Sequence, residues 1–234
     1  MRINKYLAEC GLASRRKCEA FVLDGRVKIN GKLITELSTE VKSGDVVTLD
    51  DNKVKPIKKH VYIMMNKPKG YVCTASDEFG RKTVLDLIKN REERIFPVGR
   101  LDYDTEGLLI LTTDGDLSNR LTHPRNEITK TYSLKVEGEV EEELLDRIRN
   151  GVILDGVKTK KCKIKFIEFK EGLSKFEIVI SEGRNRQVRR MFESINKQVV
   201  FLKRVAIGDL KLRGLNRGEY RDLSPEEVNY LKLV

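Results

Sequence analysis

A chain of 234 residues with 39% hydrophobic and 35% charged side chains is long enough for one large or two unequal packed domains, and too apolar for disorder. Its formal net charge of +10 points to a polyanionic partner, and nucleic acid fits better than membrane because no run approaches the roughly 20 apolar residues of a spanning helix. No apolar leader opens the chain, which is expected to be cytoplasmic, and neither its four scattered cysteines nor its two histidines have disulfide-framework or zinc-ligand spacing.

The first elements in chain order are two short helices. Ile3, Leu7 and Cys10 share one helical face, and Ser14 can cap a second helix that buries Cys18, Phe21 and Val22. "RVKINGKLIT" then sets two β-prone runs around Asn30-Gly31, a dipeptide suited to a type I′ hairpin, and "GDVVTL" supplies another strand. Arg2, Lys5, Arg15, Arg16 and Lys17 gather away from the apolar positions, either as a polyanion-binding surface or as an ordinary solvated face. "DDNKVKPIKKH", residues 50–60, has linker composition. The predicted organisation is a small domain with its basic linker at 1–58 and a larger domain at 59–234. Beyond the linker, "VYIMMNK", "TVLDLIK", "IFPV", "GLLILTT", "GDLSNRLT", "TYSLKVEG", "EEELLDRIR", "KCKIKFIEF", "FEIVIS", "RQVRRMFESI" and "QVVFLKRVAI" read as strands alternating with helices, and the whole is rich in strand. The pattern is α+β, without the regular alternation or glycine-rich motif of a nucleotide-phosphate cradle.

Three stretches could carry chemistry. "GRLDYDTEGLLILTTDGDL", residues 99–117, holds five carboxylates in a basic chain. Asp102, Asp104, Glu106 and Gly107 match the start of a calcium-binding loop, but the bidentate glutamate such a loop requires is replaced by Thr113 in an apolar run. A polar turn before a buried strand accounts for Asp104 and Glu106 and leaves Arg100 and Asp102 unexplained. In "SEGRNRQVRRMFESI", Val188, Met191, Phe192 and Ile195 form one buried helix face. Arg186, Arg189 and Arg190 then fall on the opposite side as a stripe suited to phosphates. In the alternating strand "ITKTYSLKVEG", Tyr132 shares a face with Ile128, Lys130 and Leu134, and by itself reads as a core tyrosine.

"RINKYLAECGLASRRKCEAFVLDGRVKINGK", "MNKPKGYV", "FPVGRLDYDTEGLLILTTDGDL", "KTY" and "EGRNRQVRRM", in this order, resemble the RsuA family of ribosomal RNA pseudouridine synthases over essentially the whole chain. The resemblance implies an α+β protein in which a small α-L RNA-binding domain precedes a mixed-sheet catalytic domain with its site in a central cleft. It implies that Asp102 is the nucleophile, that Tyr132 lies against the target base, that Arg184 pairs with the aspartate, and that Arg100 stands near an extruded nucleotide. It further implies a monomer that acts on ribosomal RNA, free or in an assembling subunit, with no metal and no organic cofactor. Arg2, Lys5, Arg15, Arg16, Lys17, Arg100, Arg186, Arg189 and Arg190 are then the expected RNA contacts. Asn185-Arg186 stands where some members carry Tyr-His or Asn-His, which bears on the choice of RNA. The ending without a basic tail leans toward small-subunit enzymes, whereas "EGRNRQVRRM" and "HPRNEITKTY" also resemble large-subunit ones. A noncatalytic RNA-binding or ribosome-assembly protein would explain the charge and the first domain, but would not require Asp102, Tyr132 and Arg184 together.

Overall fold

The computed structural model describes residues 1–234. By internal contacts the chain forms two compact units: Met1–Val61 with Asn90–Phe96 and Thr112–Gly115, and Tyr62–Lys89 with Pro97–Leu111 and Asp116–Val234.

In the first unit α1 (Ile3–Glu9) and α2 (Arg15–Leu23) precede a four-stranded antiparallel sheet of β1 (Val27–Ile29), β2 (Lys32–Ile34), β3 (Val47–Leu49) and β4 (Asn52–Val54), in the order β2-β1-β3-β4. Ser14 caps α2 by accepting from the Lys17 N–H, as its position predicts. Ile3, Leu7, Cys18 and Val22 pack under the sheet with Val27, Val41 and Val47. Asn30 and Gly31 both take positive φ, 52° and 79°, the conformation a type I′ turn needs. The stretch read as linker contains β4. Asp50 and Asp51, at φ 49° and 63°, turn the chain back onto β3, and the Asp50 carboxylate accepts from the Arg26 guanidinium. A polar, exposed edge strand entered through two aspartates carries no apolar alternation, so its composition resembles a linker.

The second unit is built on a nine-stranded mixed sheet. Its strands are β5 (Tyr62–Lys67), β6 (Phe96–Val98), β7 (Glu106–Thr112), β8 (Lys130–Glu137), β11 (Lys163–Lys170), β12 (Leu173–Ile180), β13 (Val199–Ile207), β14 (Leu210–Lys211) and β15 (Tyr220–Asp222). A separate hairpin is made by β9 (Ile153–Leu154) and β10 (Val157–Lys158). The main order is β11-β12-β8-β13-β7-β5-β15, with β14 on β13 and β6 on β7. Only the β13–β7 pairing is parallel among the registered strand pairs. Helices α3 (Gly115–Thr122), α4 (Glu142–Arg149), α5 (Gln187–Glu193) and α6 (Pro225–Leu233) complete the α+β fold.

Strand β7 is buried at every position, and Leu108 and Ile110 pack with Met64, Leu117, Leu121, Ile207 and Leu231. Gly107 has a specific reason to be glycine. At φ 109° it faces Arg204 of β13 so closely that a Cβ would lie 2.2 Å from the Arg204 carbonyl oxygen. The residue that falls at the invariant-glycine position of a calcium loop is thus there to let two parallel strands approach. No helix is long and apolar enough to cross a membrane.

Candidate active site

The loop between β6 and β7, "GRLDYDTE", is fixed from beneath by Lys67 at the end of β5. This lysine is fully buried, and its Nζ donates to the carbonyls of Asp102 at 3.1 Å, Thr105 at 2.9 Å and Pro68 at 3.0 Å. Burial pushes the Lys67 ammonium below the ordinary lysine range, against the pull of the nearby carboxylates of Asp102, Asp104 and Glu106. The Thr105 N–H closes the turn on the Asp102 carbonyl at 3.1 Å. On the other flank the Leu101 N–H points at Cys73 Sγ, 3.3 Å away. The main chain of Asp102 is therefore held on both sides while its side chain is left free.

The five acids of this stretch separate on their partners. Asp104 accepts from Arg186 Nη1 at 3.1 Å and stands 3.2 Å from Arg189 Nε, although off the hydrogen-bond line of that buried N–H. Glu106 is buried against Arg217 at 3.0 Å. Asp114 and Asp116 also have partners, and Asp116 sits in the first turn of α3. Asp102 alone has neither a hydrogen bond nor an ion pair on its carboxylate. The acidic cluster in a basic chain thus resolves into one free acid among acids that hold the surrounding structure.

Asp102 opens onto a cavity of about 440 Å³, within the range of small-molecule sites, whose wall includes Arg100, Lys130, Tyr132, Arg184 and Arg204. Tyr132 lies on β8 in the buried alternation with Leu134 and Val136, is 9% exposed, and makes no hydrogen bond through its hydroxyl. Arg100 is a free cation. A second cavity of about 620 Å³ shares Arg100, Asp102 and Arg184 and extends past Tyr103 and Arg81. The fold thus brings Asp102, Tyr132, Arg184 and Arg100 together, from a loop, a strand and the approach to α5.

Arg184 lies in this constellation without touching Asp102. Its guanidinium donates to the carbonyls of Val157 at 2.8 Å and Lys158 at 2.9 Å and stands 3.4 Å from Glu182, so the pairing with Asp102 is not formed in this geometry. Gln187 ties the turn, accepting from the Arg184 N–H at 2.9 Å and donating to Glu182 at 2.6 Å.

The arginine stripe of α5 requires correction. Val188, Met191 and Phe192 are buried as the periodicity predicts, but Arg189 is only 5% exposed. Its guanidinium donates to the carbonyls of Val199 at 2.6 Å and Asp104 at 3.1 Å, which makes it a strut behind the loop and removes it from the RNA contacts. Arg190 pairs with Asp155 through two contacts, at 2.8 and 2.6 Å, and Arg186 remains half-exposed. Helical spacing places residues around an axis but does not say which neighbouring loop a long side chain reaches. In the first unit Arg2, Arg15, Arg16 and Lys17 are exposed, and Lys5 stands 3.5 Å from Glu9.

Sequence reasoning gave no role to Lys67, Lys130 or Arg204. For the last two a signal was present. Lys130, half-buried, lies on the face of β8 that buries Tyr132, and Arg204 shares the buried alternation of Leu202 and Ala206, and a cation at a core-facing strand position requires a reason.

The family model described as RNA pseudouridylate synthase matches residues 61–194, and the S4 domain model matches residues 1–47. A Bacillus subtilis (strain 168) protein named ribosomal large subunit pseudouridine synthase B is 46% identical, the match covering 100% of this chain and 96% of that one. The dual-specificity RNA pseudouridine synthase RluF of Escherichia coli (strain K12) is 38% identical over 100% of this chain and 79% of its own length. A solved pseudouridylate synthase superposes with a TM-score of 0.71 at 33% identity, covering 99% of both chains. These matches displace the noncatalytic reading. The chain belongs to the RNA pseudouridylate synthase family and carries an S4 domain at its amino-terminal end.

Proposed function

We propose that this protein converts one uridine of ribosomal RNA to pseudouridine in the cytoplasm, acting as a monomer, with large-subunit RNA as the substrate class in keeping with the Bacillus relative. The observation that carries the reading is the free carboxylate of Asp102, which shares one cavity with Tyr132 and with the cations Arg100, Lys130, Arg184 and Arg204. The reaction breaks the bond from ribose C1′ to the base nitrogen N1, turns the base and joins C1′ to C5. A proton leaves C5 and N1 gains one, so no atom need be imported. Asp102 meets the electron-poor C1′, as a nucleophile or by assisting departure of the base. Tyr132 packs on the uracil. Arg100 fills the space the base leaves on flipping, which costs a few kcal/mol that phosphate contacts offset. Arg184 supports the wall of the site by fixing the β9–β10 hairpin through its two carbonyls. Residues 1–58 are proposed as the RNA-docking part and 59–234 as the catalytic part.

The direct test is a map of pseudouridines in ribosomal RNA from cells lacking the protein. One position should revert to uridine, and purified protein should release tritium from unmodified ribosomal RNA labelled at uridine C5. An unchanged map together with no release would sink the reading. The release is expected to survive EDTA when monovalent salt maintains the RNA fold, because the proposed steps need only side chains of this chain. Abolition by EDTA with rescue by one added metal would contradict that.

Docking through the first unit predicts a salt signature. Replacing Arg15, Arg16 and Lys17 together by Gln should lower the slope of log affinity against log salt by about 2, since each phosphate contact contributes about 0.7 to 0.9. A binding titration at several salt concentrations reads this directly. An unaltered slope would return these three side chains to an ordinary solvated face.

A further inference from the structure

Three unsatisfied groups of the second unit meet at one cavity. Lys130 has neither a hydrogen bond nor a carboxylate within ion-pair distance, and it lines the same wall as Asp102 and Tyr132. Arg204, 5% exposed, spends its Nε on the Leu108 carbonyl at 2.8 Å and leaves Nη2 buried with no partner. Thr105 Oγ1 is likewise buried without a partner on this wall. A buried cation such as Arg204 is costly without a counter-charge, and a half-buried Lys130 whose charge it feels adds to that cost unless something anionic visits them. The cavity's other carboxylate, Glu182, is already committed to Arg184, Gln187 and the Lys160 N–H.

The strand register says where that visitor sits. Arg204 stands opposite Tyr132 across the β13–β8 pairing, and Lys130 precedes Tyr132 by two residues on the same face, about 6.6 Å along the strand. A ring packed on Tyr132 therefore lies between the neighbouring strand position of Arg204 and that of Lys130 along β8, while Asp102 lines the same cavity from the loop that supplies the free carboxylate. The site is polarised, with an anion to meet one half of a nucleoside and cations to meet the other.

We propose that Lys130, backed by the charge of Arg204, is a catalytic residue that stabilises the uracil anion while it is detached from the sugar. This rests on the uridine-isomerising reading above. When the C1′–N1 bond breaks, its electron pair leaves with the base, and the negative charge spreads over the ring and its carbonyl oxygens. Asp102 compensates the electron deficiency at C1′, and Lys130 compensates the charge on the base. That charge disappears when C5 supplies the electron pair of the new C1′–C5 bond, after which C5 releases its proton and N1 gains one. Because the charge is absent from bound uridine and present only after cleavage, the interaction speeds the reaction rather than tightening binding. Burial, with the neighbouring Arg204 charge, brings the Lys130 ammonium down to about 8. It thus remains charged at neutral pH and loses its proton on the mildly alkaline side.

The test uses full-length Lys130→Gln and Lys130→Arg proteins, single-turnover tritium release from unmodified ribosomal RNA labelled at uridine C5, an RNA-binding titration and thermal melting. Lys130→Gln is expected to release tritium about 100-fold more slowly with binding within about threefold of wild type, the scale of removing one donor from an anion-stabilising site. Lys130→Arg, which keeps the charge, should recover at least about tenfold of that loss. Wild-type turnover should fall as pH rises through 8, and Lys130→Gln should lack this limb. The remaining charged or titratable groups on the wall are Arg100, Asp102, His123, Tyr132, Glu182, Arg184, Arg186 and Arg204. All of them persist in the variant, so a limb that vanishes belongs to Lys130. Turnover by Lys130→Gln within threefold of wild type would overturn the proposal, as would loss of rate in strict parallel with loss of RNA binding, which would mean a phosphate contact. Equal loss in both variants with lowered melting would mean a structural lysine. No release by wild type would strike the underlying reading instead.

Discussion

Asp102→Asn is expected to reduce tritium release at least about a thousandfold while the protein melts and binds RNA as wild type does. The basis is the division of labour among the acids. The Asp102 carboxylate holds nothing, so replacing it with an amide of the same shape removes charge and nucleophilicity without unpairing any group. The loop is fixed by the Asp102 carbonyl, which the substitution retains. Asp104→Asn should do the reverse. It weakens the pairs with Arg186 and Arg189, the latter buried, and should cost about 1 to 2 kcal/mol of stability, with turnover falling only a few-fold at temperatures where the protein stays folded. Melting curves, a binding titration and the release assay on both variants separate these outcomes. A folded Asp102→Asn protein with substantial turnover, or two variants whose activity merely tracks their folded fraction, would remove Asp102 from the chemistry.

The sequence made the elements with strong periodicity legible. The α5 core face, the β8 alternation, the Ser14 cap and the Asn30-Gly31 turn all follow from local rules, and the structure repeats them. Asp102, Tyr132 and Arg184 were found through resemblance, and the fold brings them to one cavity. What local rules missed depends on where long side chains end. Arg189 leaves the exposed side of its helix to reach Asp104 and Val199, and Arg184 turns to the β9–β10 hairpin. None of these acceptors is a sequence neighbour, the nearest lying ten residues away. The same reasoning explains β4, whose partner strand makes it a strand although its own composition does not.

Lys67→Met is expected to lower stability by about 2 to 4 kcal/mol, or about 5 to 15 °C in Tm for a chain of this size, and to slow turnover at least about tenfold where the protein remains folded. Lysine here is not a solvated charge. It is fully buried, and the three protons of its ammonium match three carbonyls at 2.9 to 3.1 Å. Methionine fills nearly the same volume and relieves the burial of a charge, but it leaves those carbonyls without a donor, and the unmet acceptors outweigh the relief. Two of them, Asp102 and Thr105, bracket the turn that carries the free carboxylate, so the damage is directed at the site. A displacement on the order of 1 Å in a reacting group can cost about a hundredfold in rate. Lys67→Arg restores a charge but not the fit, since a planar guanidinium cannot direct its protons at three converging carbonyls, and it should rescue neither quantity. Thermal melting together with single-turnover release at a temperature well below both midpoints tests the claim. A Met variant that melts within 1 °C of wild type and turns over normally would show that the loop around Asp102 holds its shape without the lysine beneath it.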